Sequence, residues 1–201
     1  MEYSEIINKT AISLSEQKAI GWFQGRMEFG PRALGARSIL ADPRSDKTQK
    51  SLNLKVKFRE SFRPFGPAVL DHKAKEWFDT NIDSPYMLLV SEVIDSKKIN
   101  ETNRNQLFGI DRLNLKRSLI PAVTHVDYSA RFQTVHEDTN RAFYDLLSKF
   151  DEITGCPVLV NTSFNIRGEP IVCNPNDAFN CFMGTNLDVL VIGDYFLEKS
   201  E

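Results

Sequence analysis

In this 201-residue chain, the run GRMEFGPRALGARSILADPR, from Gly25 to Arg44, is where side chains suited to chemistry are densest. Gly25 and Gly30 have the spacing of Walker A glycines, but Pro31 and Arg32 stand where that loop needs Lys and Ser or Thr. Proline has no amide to point at phosphate, so a P-loop is excluded. What remains is a set of guanidinium groups spaced by glycines, followed by KFRESFRPF, from Lys57 to Phe65. Arginine forks bind phosphate oxygens through paired hydrogen bonds, and lysine adds a compact charge where negative charge grows. A polyphosphate ligand suits this group. A single arginine more often covers the surface or pairs with a carboxylate. Arg26, Arg32 and Arg37, however, lie among Gly, Pro, Leu and Ala rather than on an ordinary solvated face. Phe58, Phe62 and Phe65 read first as core residues, with stacking on RNA as the alternative.

The second constellation is NTSFNIRGEP, Asn161 to Pro170, directly after the apolar run PVLV. Polar residues at the carboxyl end of a buried strand lie where α/β sheets bind ligands. Asn161 and Ser163 would project to one side if the strand continued, and Asn165, Arg167 and Glu169 extend the polar supply. A self-satisfied Asn/Ser turn is the competing reading. Arg131, in YSARFQTV, is a third anion-binding candidate because its setting is apolar and strand-like. His125 and His136 flank it without the Cys or carboxylate pattern of a metal site, so no metal is expected there. G-x-G-x-x-G, G-x-S-x-G and H-E-x-x-H patterns do not occur.

These residues need elements to hold them. Ile6, Ile7, Ala11, Ile12 and Leu14 predict an N-terminal helix, and AIGWF a strand. Ser45 is expected to cap a helix through about Lys55 whose Leu52 and Val56 face inward. FGPAVL and MLLVSEVI read as strands, with a short amphipathic helix at Lys73 to Phe78 between them. The polar stretch from Asp95 to Arg117 reads as a loop or insertion. PAVTHV and ARFQTV read as short strands, before a helix from Asp138 or Thr139 to near Gly155. PVLVN is a buried strand, Asn174-Pro175 with Asp177 opens another helix, and DVLVIGDYFLE is two strands around Gly193. Trp22 and Trp77 belong to the core. Alternating strands and helices without a long linker predict one α/β domain over residues 1–201.

Composition bounds the function classes. Hydrophobic residues at 41% and charged residues at 26% are ordinary globular usage. The net charge of −2 conceals an imbalance: Arg26 to Arg63 holds ten basic and four acidic residues, a net of +6, against −8 elsewhere. The cationic stretch is a functional lead, compatible with a nucleic-acid stripe or a pocket for a smaller anion, while the whole chain shows no global basicity. Cys156, Cys173 and Cys181 form no C-x-x-C pair, and neither a disulfide framework nor a zinc site is expected. The polar N-terminus has no signal-peptide pattern and no stretch suits a membrane span, so a cytoplasmic location is expected.

GRMEFGPRALG, RSILADPR, KFRESFRPFGPAVL, ARFQTV and PVLVNTSFNIRGEPIVCNPNDAFNCF, in that order, resemble the C-terminal domain of the NodU/CmcH-type carbamoyltransferases, which modify nodulation factors, cephamycins and tobramycin. The likeness runs from about Ala19 to the end and is weakest around Lys98 to Gln106. It implies a single YrdC-like α/β domain with a twisted mixed sheet and flanking helices. It also implies formation of carbamoyl-adenylate from ATP and carbamoyl phosphate, with Mg2+ accompanying ATP. Carried over by position, Lys57 and Arg63 would be catalytic. Arg32, Lys57, Arg63, Arg131, Asn161 and Ser163 would bind substrate and nucleotide. Ala36 departs from the family, which has a polar Asn or His there. The family also places an actin/kinase-like domain before this one, which transfers carbamoyl to an acceptor hydroxyl and is absent from these 201 residues. That domain, on the same or a separate chain, is the expected partner. Two alternatives stand beside this reading: a silent module that binds nucleotide or carbamoyl phosphate, and an RNA-binding YrdC-like domain.

Overall fold

The computed structural model describes residues 1–99, 109, 113 and 115–199, so much of the expected 95–117 insertion lies outside the described residues. Among the described residues the strands are β1 (Ile20–Phe23), β2 (Arg37–Ala41), β3 (Gly66–Leu70), β4 (Val90–Glu92), β5 (Ser129–Arg131), β6 (Gln133–Val135), β7 (Val158–Ser163), β8 (Val189–Ile192) and β9 (Tyr195–Glu198). The helices are α1 (Tyr3–Ser15), α2 (Thr48–Lys55), α3 (Arg141–Thr154) and α4 (Pro175–Met183). A seven-stranded sheet has the order β6-β3-β7-β2-β1-β8-β9, and β4 with β5 forms a separate two-stranded sheet. β1 runs parallel to β8 and β3 to β6, whereas β1–β2, β2–β7, β3–β7 and β8–β9 are antiparallel. The sheet is therefore mixed, as the resemblance implied.

Strands β1, β2 and β3 are buried along their whole length, because helices cover the sheet. α3 packs on α1 and reaches β3 and β7, while α4 packs on β1 and β8. Trp22 and Trp77 are core residues, and the Trp22 indole donates to the carbonyl of Gly35 at 2.9 Å. Local chemistry sets the helix ends. The Asn140 side chain accepts the Phe143 amide, and Gly155 closes α3 in the left-handed region at φ 69°. Asn174 and Asp177 form a reciprocal capping box around Pro175 at the start of α4.

Several local expectations are corrected. α2 begins at Thr48, because the Ser45 hydroxyl accepts the Lys47 amide in a turn that precedes the helical ladder. Leu52 and Val56 are nonetheless buried as expected. The segment Asp71–Glu76 is a 3-10 helix rather than an α-helix over Lys73 to Phe78. In MLLVSEVI only Val90–Glu92 is a strand, since Ser84 draws the amides of Met87 and Leu89 into a turn. Pro121–Val123 is a 3-10 turn, where proline has no amide for a ladder. ARFQTV is split between two sheets at Phe132, whose amide turns to the Leu89 carbonyl. Phe65 is core, but Phe58 and Phe62 are exposed.

Gly35 is the tightest glycine. Its φ is +104°, and an added Cβ would lie 2.2 Å from the Phe143 ring. Gly35→Ala is therefore expected to cost about 2 to 4 kcal/mol through combined backbone strain and overpacking, read as a lowered urea midpoint. Unchanged stability would contradict this packing.

Candidate functional site

The site is built from the β1–β2 loop, the carboxyl end of β7, the β5–β6 junction and the segment after α2. The loop's shape comes from two of its own charged residues. Glu28 Oε1 accepts the amides of Leu34 at 2.7 Å, Ala36 at 2.7 Å and Arg37 at 3.3 Å. Arg37 lies over the Phe23 ring, 3.4 Å from its centroid, and donates to the carbonyls of Gln24, Gly25 and Ala36. These two residues organise backbone. They leave Arg32 available for another task.

Arg32 and Arg131 face one another electrostatically. Both have a buried Nε without a hydrogen-bond partner, and among the described residues neither belongs to an ion pair. Burial lowers the pKa of the Arg131 guanidinium, and the charge of Arg32 lowers it further. Two partly desolvated cations without a counter-charge are costly unless an anion joins them.

Asn161 lies beside this pair on β7, between Leu40 of β2 and Gly66 of β3. Its Nδ2 donates to the Ala33 carbonyl at 3.1 Å and to Gln133 Oε1 at 2.7 Å. Gln133 in turn donates to the Leu34 carbonyl at 3.0 Å. The Ala33 carbonyl fixes the amide orientation, because Oδ1 in that place would be repelled. Asn161 Oδ1 is thus a buried acceptor with no partner among the described residues, ready for an N–H group.

Lys57 and Ser163 meet at the same carboxyl end of β7, two residues beyond Asn161. Lys57 is only 5% exposed. Its Nζ donates to Ser163 O at 2.7 Å, Ser163 Oγ at 3.2 Å, Asn165 O at 3.0 Å and Asn165 Oδ1 at 2.7 Å. Burial pulls its pKa down to about 7, and Arg59 pushes in the same direction. The Ser163 hydroxyl donates to Asn165 Oδ1 at 2.7 Å. Lys57 therefore holds the strand end in place rather than extending toward solvent. Arg63 stays apart from both groups: it is at the surface, 53% exposed, and 3.7 Å from Glu60.

The structure thus joins Arg32 with Arg131, and Lys57 with Ser163. Asn161 ties the first pair to the strand through Ala33. The spacing of residues along the chain gave no sign of Gln133, Asn165 as a lysine ligand, or Glu28 as the loop organiser. Two clefts draw on neighbouring segments. A groove of about 520 Å³ follows Lys47, Lys50, Leu54 and Lys55. Another of about 400 Å³ is lined by Ile166, Val172, Cys173 and Cys181, the last within electrostatic reach of Lys57.

Among solved structures, full-length HypF in a phosphate- and nucleotide-bound form matches 92% of this chain and 20% of its own, with a TM-score of 0.54 and 17% identity. The H234A/Y235A form of P. abyssi Sua5 matches 97% of this chain and 52% of its own, with a TM-score of 0.54 and 13% identity. These neighbours share the YrdC-like α/β fold. Among curated relatives, an uncharacterized Synechocystis protein, sll1178, is 54% identical over 98% of this chain and 32% of its own length. Nodulation protein NolNO of Sinorhizobium fredii is 42% identical, over 97% and 26% respectively. A 3'-hydroxymethylcephem-O-carbamoyltransferase of Amycolatopsis lactamdurans is 33% identical, over 94% and 32%. The chain thus spans about a quarter to a third of the length of the curated relatives it matches. The description "Carbamoyltransferase C-terminus" matches residues 11–199, nearly the entire chain, so that the charged loop, the β7 end and the sheet between them are those of a carbamoyltransferase C-terminal domain, and this chain belongs to that family.

Proposed function

We propose that this domain binds ATP and carbamoyl phosphate and forms carbamoyl-adenylate, supplying the activated group for transfer to a hydroxyl. The observation that supports this most directly is the Arg32–Arg131 pair, two cations with buried, unpartnered nitrogens that form no ion pair among the described residues. An anionic phosphate fits that corner. Asn161 Oδ1 offers an acceptor beside it, and a carbamoyl NH2 is a donor that phosphate alone lacks. For atoms to balance, water cleaves carbamoyl phosphate to carbamate and phosphate. A carbamate oxygen then attacks the α-phosphorus of ATP, the bond from that phosphorus to the α,β-bridging oxygen breaks, and pyrophosphate leaves with that oxygen. The arginines neutralise the phosphoryl oxygens, while the Lys57–Ser163–Asn165 cluster orients the strand end. Magnesium would travel with the ATP phosphates, since this corner supplies cations and amides rather than a carboxylate cluster.

The remaining two thirds to three quarters of the full-length relatives would hold the acceptor and complete the transfer, which makes that region the proposed partner. The relatives include a cephem carbamoyltransferase, and HypF was solved with phosphate and nucleotide, both compatible with this reading. The test is to incubate the chain with ATP, magnesium and carbamoyl phosphate, then measure pyrophosphate release and carbamoyl-adenylate mass. Wild type is expected to form product and Arg32→Ala to lose it. Binding of both ligands with no product and no pyrophosphate would replace the proposal with a silent binding module. Salt-sensitive RNA affinity with no effect of carbamoyl phosphate would favour the exposed Phe58 and Phe62 as a stacking surface instead.

A further inference from the structure

One surface beside the arginine pair has no role in that chemistry. Tyr86, Leu88 and Val90 are 65%, 66% and 61% exposed, and Ile82 is equally open. A row of large apolar side chains in water is a cost that interaction surfaces recover on association. The row is held outward. The buried Ser84 hydroxyl donates to the Phe132 carbonyl and accepts the Leu89 amide, while the Ser84 carbonyl accepts the amides of Met87 and Thr134. Met87 is buried against Gly66 and takes a left-handed φ of 53°, a strained backbone for a methionine. Its inward turn directs its neighbours Tyr86 and Leu88 to solvent.

Val90 is the direct antiparallel partner of Arg131. Directly opposed residues project from the same face, so the apolar row ends at the candidate anion site. The loop carrying Arg32 also presents, three residues before it, Phe29 with its side chain fully exposed. Each of the two elements that carry the arginines thus has an exposed apolar residue, Phe29 in the chain near Arg32 and Val90 paired with Arg131.

We infer that the Tyr86–Val90 ridge, with Phe29, is the docking surface for the region that precedes this domain in the full-length carbamoyltransferases, and that docking closes the Arg32–Arg131 site from water. The family is defined as a C-terminus, and the relatives carry about two thirds to three quarters of their length outside the match, which supplies an occupant in the same polypeptide. An interface bordering the site would also strengthen the arginines' hold on an anion by excluding solvent. The inference uses the proposed function only to say which site is closed.

The test is hydrogen exchange of this chain and of full-length Synechocystis sll1178, which is 54% identical over this chain, both without substrate. Peptides covering residues 27–30 and 82–90, and their aligned counterparts, are expected to exchange about tenfold more slowly in the full-length protein. Peptides carrying the exposed Phe179 and Met183 of α4 are expected to match between the two. Leu88→Asp with Val90→Asp at the aligned positions should remove the protection, and in this chain the same pair should leave the melting temperature unchanged. Equal exchange of 82–90 in both proteins would overturn the inference. So would protection that arises in this chain alone as its concentration rises, which would make the occupant a second copy. Because no substrate is present, failure of the adenylate chemistry leaves this readout intact.

Discussion

Arg131→Leu is expected to weaken binding of carbamoyl phosphate and ATP by about 10- to 100-fold while leaving the fold as stable as before or slightly more so. The loss follows from removing charge-assisted hydrogen bonds, each worth about 1.5 to 3 kcal/mol. The stability side runs the other way. Arg131 has a buried Nε without a partner, and both burial and Arg32 disfavour its charge. Leucine removes that repulsion, so a gain of up to about 1 kcal/mol is expected. Arg32→Leu should act alike, and the double variant should lose less affinity than the two single losses combined, because one anion bridges both. Calorimetric titration and thermal unfolding on the same samples separate the two effects. A lowered melting temperature with unchanged affinity would make Arg131 a structural residue and remove the anion site.

The opposite signs of those two effects also explain what could be read from the sequence. An arginine between Ala130 and Phe132 conflicts with its apolar setting, and local conflicts of that kind mark functional sites. Buried strands such as PVLV, the Asn174–Asp177 capping box and the Gly155 helix stop were legible because their causes lie within a few residues. Tertiary causes leave no such local trace. Met87 turns inward against Gly66, its amide held by the Ser84 carbonyl, so MLLVSEVI is not the single strand its alternation suggests. Asn165 bonds Lys57 from 108 residues away and Gln133 bonds Asn161 from 28, separations that no local pattern reports. Arg37 illustrates the converse. It sits in the same motif as Arg32, yet its guanidinium is spent on loop carbonyls and the Phe23 ring. Arg63 likewise follows Lys57 closely in the chain but points to the surface beside Glu60.

Lys57→Met is expected to destabilise the domain by about 2 to 4 kcal/mol, because Ser163 O, Asn165 O and Asn165 Oδ1 lose their lysine donor in a buried place. Relief of an enclosed cation offsets part of that cost, and the pH dependence separates the terms. Lys57 titrates at about 7 in the fold, below the 10.5 of free lysine. Between those values the unfolded chain binds more protons, so this group makes stability rise from pH 7 to 10.5 and leaves it flat below 7. The methionine variant should lose that slope while remaining less stable at pH 7. Ligand binding supplies the second readout. At pH 8 the free amine is mostly neutral, and a polyphosphate held near Ser163 favours the ammonium. Binding should therefore take up as much as about one proton at pH 8 and much less at pH 6, measured as a buffer-dependent calorimetric enthalpy. Wild type with no buffer dependence, but with the predicted loss of stability in Lys57→Met, would confine Lys57 to holding the strand end. Proton uptake that vanishes in the variant would mean that the same amine both clamps Ser163 and responds to the charge of the substrate.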